Sequence, residues 1–234
     1  MSFLSVVQQV LSGVGSTLLI FFSTLIFSLP LGLLVAMGRM NNWAPFRCLS
    51  PEGVLGKFKP VQLIIKFLIS ILRGTPLMLQ LIVWFYGPYY LFGWRLNAAW
   101  RVGATIVGFS INYAAYFAEI FRSGIMSIDK GQMEAGRSLG LTHGQTMWSI
   151  IFPQGIKNCL PTYASEFIVL VKETAVVGYI GMTDLTKAYS TVQSRTMDAM
   201  PPLIIIAVVY FCITKVLSVI FAKMERRLRE SDRR

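Results

Sequence analysis

Uncharged apolar runs recur along this chain at lengths set by a bilayer rather than by a soluble core. Residues 13–38, GVGSTLLIFFSTLIFSLPLGLLVAMG, hold no charged residue. About 20 apolar residues let a helix cross the hydrocarbon layer, so this run spans with room for tilt. Residues 74–94 form a second uncharged run, and its aromatic end has the character of an interfacial belt. Ahead of it, Lys66 and Arg73 are seven apart and share one helix face, which predicts an amphipathic lead-in on the membrane surface. Further spans are predicted at about 102–121 and 202–222. Another, at 160–182, is broken by Glu166 and by Lys172-Glu173. The pattern predicts an all-α membrane protein of five transmembrane helices, with 1–234 as a single transmembrane domain.

Composition agrees. The chain is 54% hydrophobic and 14% charged, with a mean hydropathy of +0.59, whereas soluble domains carry roughly 25% charged residues. A net charge of +11 could suggest nucleic acid, but the basic residues stand in blocks beside the spans. With the N-terminus outside, sixteen fall on the cytoplasmic side: Arg39, Arg47, Lys57, Lys59, Lys66, Arg73, Arg122, Lys130, Arg137, Lys157, Lys223, Arg226, Arg227, Arg229, Arg233 and Arg234. Only Arg95, Arg101, Lys187 and Arg195 fall outside. That asymmetry predicts an external N-terminus, a cytoplasmic C-terminus and no nucleic-acid partner. It also fits contact with membrane lipid headgroups. The first apolar run lacks a basic lead and exceeds a cleavable signal in length, so it is expected to be retained. Cys48, Cys159 and Cys212 have neither disulfide-framework nor metal-site spacing.

The longest internal cytoplasmic segment, 122–159, contains the polar, glycine-punctuated stretch EAGRSLGLTHGQTMWSIIFPQ at 134–154. Asp129 is a plausible N-cap, Glu134 and Ala135 favour helix, and Gly140 suits a left-handed C-cap. Thr142 then opens a second short helix, which Pro153 stops or kinks. Two short helices joined at a glycine make a rigid protrusion. On these residues alone it is either a docking element or an amphipathic loop lying on lipid.

The stretch resembles the cytoplasmic loop motif of bacterial ATP-binding-cassette importer permeases: E-A-A, three residues, G, nine residues, I, one residue, L-P. Here stand Glu134, Ala135 and Gly136, then Gly140, Ile150 and Phe152-Pro153. The departures are Gly136 for alanine, costing about 1 kcal/mol of helix propensity, and Phe152 for leucine. The stretches at 73–81, 112–125, 127–141 and 160–185 are further similar to the polar amino acid permeases of the histidine, glutamate, glutamine, arginine and opine group.

That resemblance implies the type I importer permease fold, with a coupling helix held in a cleft of a separate ATPase subunit. Glu134, Ala135, Gly136 and Gly140 would mark the coupling element. It also implies a second permease chain, identical or related, an external solute-binding protein and a polar amino acid as solute. The location implied is a bacterial inner membrane. ATP and magnesium would sit on the ATPase, leaving no cofactor in this chain. The 51–58 stretch PEGVLGKF has only a superficial likeness to a phosphate loop, since its glycines are three apart and Phe58 replaces the required Ser or Thr. No catalytic constellation is present in the sequence, and the lone His143 has no ligand neighbours.

Each charge at the centre of a lone membrane helix costs about 2.5–3.5 kcal/mol. Glu166, Lys172 and Glu173 are therefore expected to face one another, a partner or water. An amino acid needs an acceptor for its ammonium and a donor for its carboxylate. Glu166 suits the first and Lys172 the second, while Asn112 and Glu119, seven apart, share a face that can complete the lining. The bland alternatives are Lys172 pairing with Glu173 or Glu166, and Glu119 pairing with Arg122. Arg73-Gly74-Thr75-Pro76 is expected to kink the chain, or else to act as a hinge. Rival functions are a permease for another small zwitterion, or an ion channel or proton-coupled carrier using Glu166 and Lys172 as relay groups.

Overall fold

The structure, a computed structural model, describes residues 3–40 and 59–231, and every regular element in them is helical. Arg47, Cys48, Lys57, the 51–58 stretch, Arg233 and Arg234 lie outside the described residues. The helices are α1 (Phe3–Leu11), α2 (Val14–Met40), α3 (Pro60–Gly74), α4 (Leu77–Phe92) and α5 (Ala98–Met126). They continue with α6 (Lys130–Ser138), α7 (His143–Thr146), α8 (Phe152–Glu173), α9 (Leu185–Thr196) and α10 (Met200–Ser231). A π-helical turn, Met147–Ile151, joins α7 to α8, and a 3-10 stretch, Thr174–Ile180, follows α8.

The chain forms two compact units. The first holds Met1–Ile26, Leu77–Ser110 and Leu160–Arg234. Its core gathers Val6 and Val10 of α1, Leu185 and Val192 of α9, and Ile206 of α10. The helix α1 lies ahead of the expected first span, whose start at residue 13 is instead a turn. Gly13 is required there, because a β-carbon would come within 2.5 Å of the Asp184 and Leu185 backbone. A second cluster packs Phe85, Ala104 and Ile180. Around it, Trp100 Nε1 donates to the Phe85 carbonyl at 3.0 Å, and the Arg101 guanidinium donates to that of Gly181 at 3.0 Å.

The second unit holds Phe27–Pro76 and Ile111–Cys159. Small residues set its helix crossings, as they do where membrane helices pack backbone to backbone. A β-carbon on Gly32 of α2 would lie 2.8 Å from the β-carbon of Phe117. One on Gly124 would lie 1.8 Å from the Cys159 sulfur, whose thiol donates to the Ile120 carbonyl at 3.2 Å. Cys159 is thus a buried packing residue, as its spacing implied. The amphipathic lead-in is α3, which Asn112 fastens by donating to the Leu72 carbonyl at 3.0 Å.

Between α3 and α4, Thr75 is extended, with φ −116° and ψ 145°. The ring of Pro76 disfavours helical backbone at the preceding residue, and α3 ends there. The expected span at 74–94 is therefore α4, Leu77–Phe92, preceded by a separate helix.

Among the described residues, three helical stretches are long and apolar enough to cross a membrane: Leu4–Met40, Ala98–Met126 and Met200–Arg227. The broken pair Pro60–Gly74 and Leu77–Phe92 makes a fourth if counted as one span. The helix α8 does not reach that apolarity; it carries Lys157, Glu166, Lys172 and Glu173. Burial separates the roles of the long helices. The most apolar stretch of α5 is 72% buried, whereas that of α10 is 6% buried and leaves its apolar surface for lipid or another chain.

Candidate functional site

The segment from Asp129 to Pro153 is built from local signals that the structure satisfies in order. The Asp129 carboxylate accepts from the Gly131 amide at 2.6 Å, capping α6. At the other end, Gly140 takes φ +82°, which suits a residue without a β-carbon. The Leu141 amide then donates to the Gly136 carbonyl, and the Gly140 amide to that of Arg137, at 3.1 and 3.0 Å. This paired closure satisfies carbonyls that a helix end otherwise leaves open.

Thr142 and Gln145 form a reciprocal capping box at the start of α7: the Gln145 amide donates to Thr142 Oγ1, and the Thr142 amide donates to Gln145 Oε1. Such a box satisfies two orphan donors of the new helix at once. The two helices meet at Gly136 and Thr146, both buried. Outward from that contact, Glu134, Ala135, Gly140 and His143 are exposed. Leu139 stands 80% exposed at the tip of the turn, where an apolar side chain in water has no local reason to be.

Of the two outcomes expected at Pro153, a stop or a kink, the stop does not occur. Helical backbone continues through the π-turn into α8. Proline has no amide hydrogen and its ring crowds the carbonyl four residues back. Widening the preceding turn relieves both problems, and the Phe152 amide donates to the Met147 carbonyl, five residues back. Beside this turn lies an apolar cavity of about 380 Å³, walled by Met37, Ile125, His143, Met147, Trp148 and Phe152. His143 sits at the start of α7, and no cluster of metal-ligating side chains occurs among the described residues.

The polar groups expected along a solute path separate into two sets. In the second unit, Glu119 lies between two cations: Arg39 of α2 pairs with one carboxylate oxygen and Arg122 with the other. The pairing with Arg122 follows from helix spacing, but Arg39 is 80 residues away and its role had no signal in the sequence. Glu119 is 23% exposed, so the pair is half-buried and joins α2 to α5. Nearby, the Arg73 guanidinium lies 5.1 Å from the centre of the Tyr116 ring, a favourable cation–π distance. Asn112 is buried and directs its amide to the Leu72 carbonyl.

In the first unit, Glu166 and Glu173 are half-buried on α8, whereas Lys172 is exposed and enters no ion pair among the described residues. The expected pairing of Lys172 with a neighbouring glutamate is thus not formed. After Glu173 the backbone tightens into the 3-10 stretch, where the buried Thr174 hydroxyl donates to the Val171 carbonyl at 2.7 Å. Asp184 then caps α9, its two carboxylate oxygens taking the amides of Thr186 and Lys187 at 3.1 and 2.8 Å.

Comparison with known proteins gives concordant matches. A family model described as binding-protein-dependent transport system inner membrane component covers residues 52–230. The chain is 34% identical over 223 residues to the arginine transport system permease protein ArtQ of Bacillus subtilis (strain 168), spanning 95% of this chain and 94% of that one. It is 34% identical to the putative glutamine transport system permease protein GlnP of Rickettsia bellii (strain RML369-C), spanning 87% and 85% of the two chains. A solved crystal structure of an amino acid ABC transporter with histidines aligns with a TM-score of 0.82 at 37% identity, covering 97% of this chain and 99% of that one. The inward facing MetNI methionine ABC transporter shares the fold at 16% identity, with a TM-score of 0.64 over 97% of this chain and 95% of that one.

Proposed function

The chain belongs to the family of binding-protein-dependent transport system inner membrane components, and on that premise we propose that it is the permease subunit of an ATP-driven importer of polar amino acids. The observation that carries the coupling role is the protrusion at 129–153. Each of its helices has a side-chain N-cap, α6 closes at Gly140, the two lock at Gly136 and Thr146, and they present Glu134, Ala135 and Leu139 outward. A closed, capped element of this kind moves as a body. Its exposed apolar tip fits a cleft on another subunit better than bulk water.

The chain works as one of two permease subunits, identical or related, enclosing a path between them. Five segments cross the inner membrane with the N-terminus outside, and α8 turns its charged side toward the path rather than toward lipid. Two ATPase subunits, which hold ATP and magnesium, grip the protrusions. As they close, the protrusions are drawn together and the path opens outward to a solute-binding protein. Glu166 is the candidate acceptor for the solute ammonium, with Lys172, Glu173 and Asn112 as further path groups. Glu119, held between Arg39 and Arg122, serves the packing of the cytoplasmic half instead. The amino acid class rests on the relatives, whose names specify arginine, glutamine and L-cystine transport.

The test is purification of the tagged chain from native membranes in mild detergent, with crosslinking. Recovery of an ATP-binding-cassette ATPase is expected. In proteoliposomes, Glu134→Lys is then expected to lower uptake at least tenfold while ATP hydrolysis continues. Absence of any ATPase under every condition, or uptake that proceeds without one, overturns the reading in favour of a carrier or channel.

A further inference from the structure

A cavity of about 350 Å³ lies in the first unit, between the end of the 3-10 stretch and one face of α9. Its walls include Tyr179, Thr186, Lys187, Tyr189, Ser190 and Gln193. On α9, positions 186, 189, 190 and 193 recur every three or four residues, so one helix face supplies most of the lining. The adjoining face, with Leu185, Ala188 and Val192, is buried in the core, and Tyr189 packs partly against that core. The fold thus aims polar groups at a concavity rather than scattering them over a convex surface.

The charge balance of the cavity is one-sided. Lys187 is exposed and has no carboxylate within ion-pair distance among the described residues. The nearest acid in sequence, Asp184, is fully buried, and both its oxygens are engaged by the amides that start α9. The hydroxyls of Tyr179, Tyr189 and Ser190 make no hydrogen bond among the described residues. Lys187, the three hydroxyl residues and Gln193 therefore line one cavity that has no acidic side chain among its walls. A carboxylate is the small group whose hydrogen bonds such donors satisfy, and charge-assisted bonds to it are stronger than neutral ones. The volume lies at the low end of ligand sites, fitting a small amino acid or one acidic side chain.

We propose that this cavity, centred on Lys187, is a carboxylate-binding site on the external side of the permease. The outward placement rests on the orientation given under Proposed function. Two sources carry the same group: the carboxylate of the amino acid on its way into the path, or an acidic side chain of the solute-binding protein.

The experiment uses the full complex of permease, ATPase and binding protein in proteoliposomes, coupled with a zero-length carbodiimide reagent and digested for mass spectrometry. A carboxylate seated beside Lys187 is expected to become amide-linked to its ammonium nitrogen. A binding-protein peptide on Lys187 identifies a protein-borne source, and the mass of a single amino acid identifies the solute. Lys187→Gln is expected to raise, about three- to tenfold, the concentration of binding protein or solute that half-maximally stimulates ATP hydrolysis. Lys187→Arg is expected to restore it. Coupling at Lys187 no greater than at the exposed Lys130 of α6, or a Lys187→Gln complex indistinguishable from the parent, overturns the site. If the parent complex shows no stimulated ATP hydrolysis, the importer reading falls and takes this site with it. If stimulation is normal and Lys187 stays uncoupled, only the site falls.

Discussion

A β-carbon placed on Gly136 would come within 2.5 Å of the Thr146 γ-methyl and 2.7 Å of its hydroxyl oxygen. The two residues form the contact between α6 and α7, and Thr146 is fully buried with its hydroxyl donating to the Thr142 carbonyl at 3.1 Å. The glycine that departs from the alanine of the family motif is therefore matched to a threonine ten residues on. What reads in the sequence as a loss of helix propensity is, in the fold, a steric requirement.

Gly136→Ala is expected to cost about 1–3 kcal/mol through overpacking and to lower ATP-coupled uptake. Thr146→Ala removes both offending atoms and leaves the Thr146 β-carbon at 3.2 Å, a contact that small shifts can absorb. The double variant is expected to recover most of the loss. A double-mutant cycle in thermal unfolding and uptake checks this, and simple additivity of the two single effects would contradict it.

The π-turn before Pro153 makes a different claim. Pro153→Ala supplies the missing amide and removes the ring, so the turn is expected to rewind toward α-helix. One residue of register corresponds to about 100° of rotation, which re-aims α7 relative to α8. Uptake is expected to fall at least tenfold while the melting temperature stays level or rises. Full uptake by this variant would show that the π-turn does not set the angle of the protrusion.

Glu119 separates two roles by two measurements. Replacing it with glutamine leaves Arg39 and Arg122 facing each other without their shared anion. A stability loss of about 1–2 kcal/mol is expected for this half-buried group, with the apparent KM for solute changed less than about twofold. A large KM change at unaltered stability would instead make Glu119 a solute contact.

Asp184 links stability to pH. Burial pushes its carboxyl above the usual aspartate range, against the amide bonds from Lys187 and Thr186 that pull it down. With its folded value raised, its favourable contribution is complete below the unfolded value of about 3.9 and is lost as pH rises through the folded value. Asp184→Asn keeps an N-cap acceptor and removes the charge. The variant's melting temperature is expected to match the parent near pH 4 and to exceed it increasingly toward pH 7. A gap that shrinks over that range would reverse the assignment.

The local chemistry of the protrusion was legible because each signal acts within a few residues. Asp129 as cap, Gly140 in the left-handed region and Thr142 as the second cap all stand where spacing put them. The helix α1 carries no comparable local signal, because it is held by packing rather than by caps. Its partners Leu185 and Ile206 lie far along the chain. At Pro153 the sequence leaves a stop and a kink both open, for a related reason. A proline signals a break, but whether the backbone breaks or widens into a π-turn depends on what packs around it.

By itself the sequence determined the helical class, the apolar spans, the capping of the protrusion and the family. Those properties follow from hydropathy at bilayer length, from hydrogen bonds closed within one turn, and from a motif carried on contiguous residues. Only the tertiary structure decided that Glu119 belongs between Arg39 and Arg122, that Gly136 answers Thr146, and that Lys187 faces a cavity with no exposed acid. Those are relations across space, fixed by which helix faces meet, and periodicity alone does not specify that meeting.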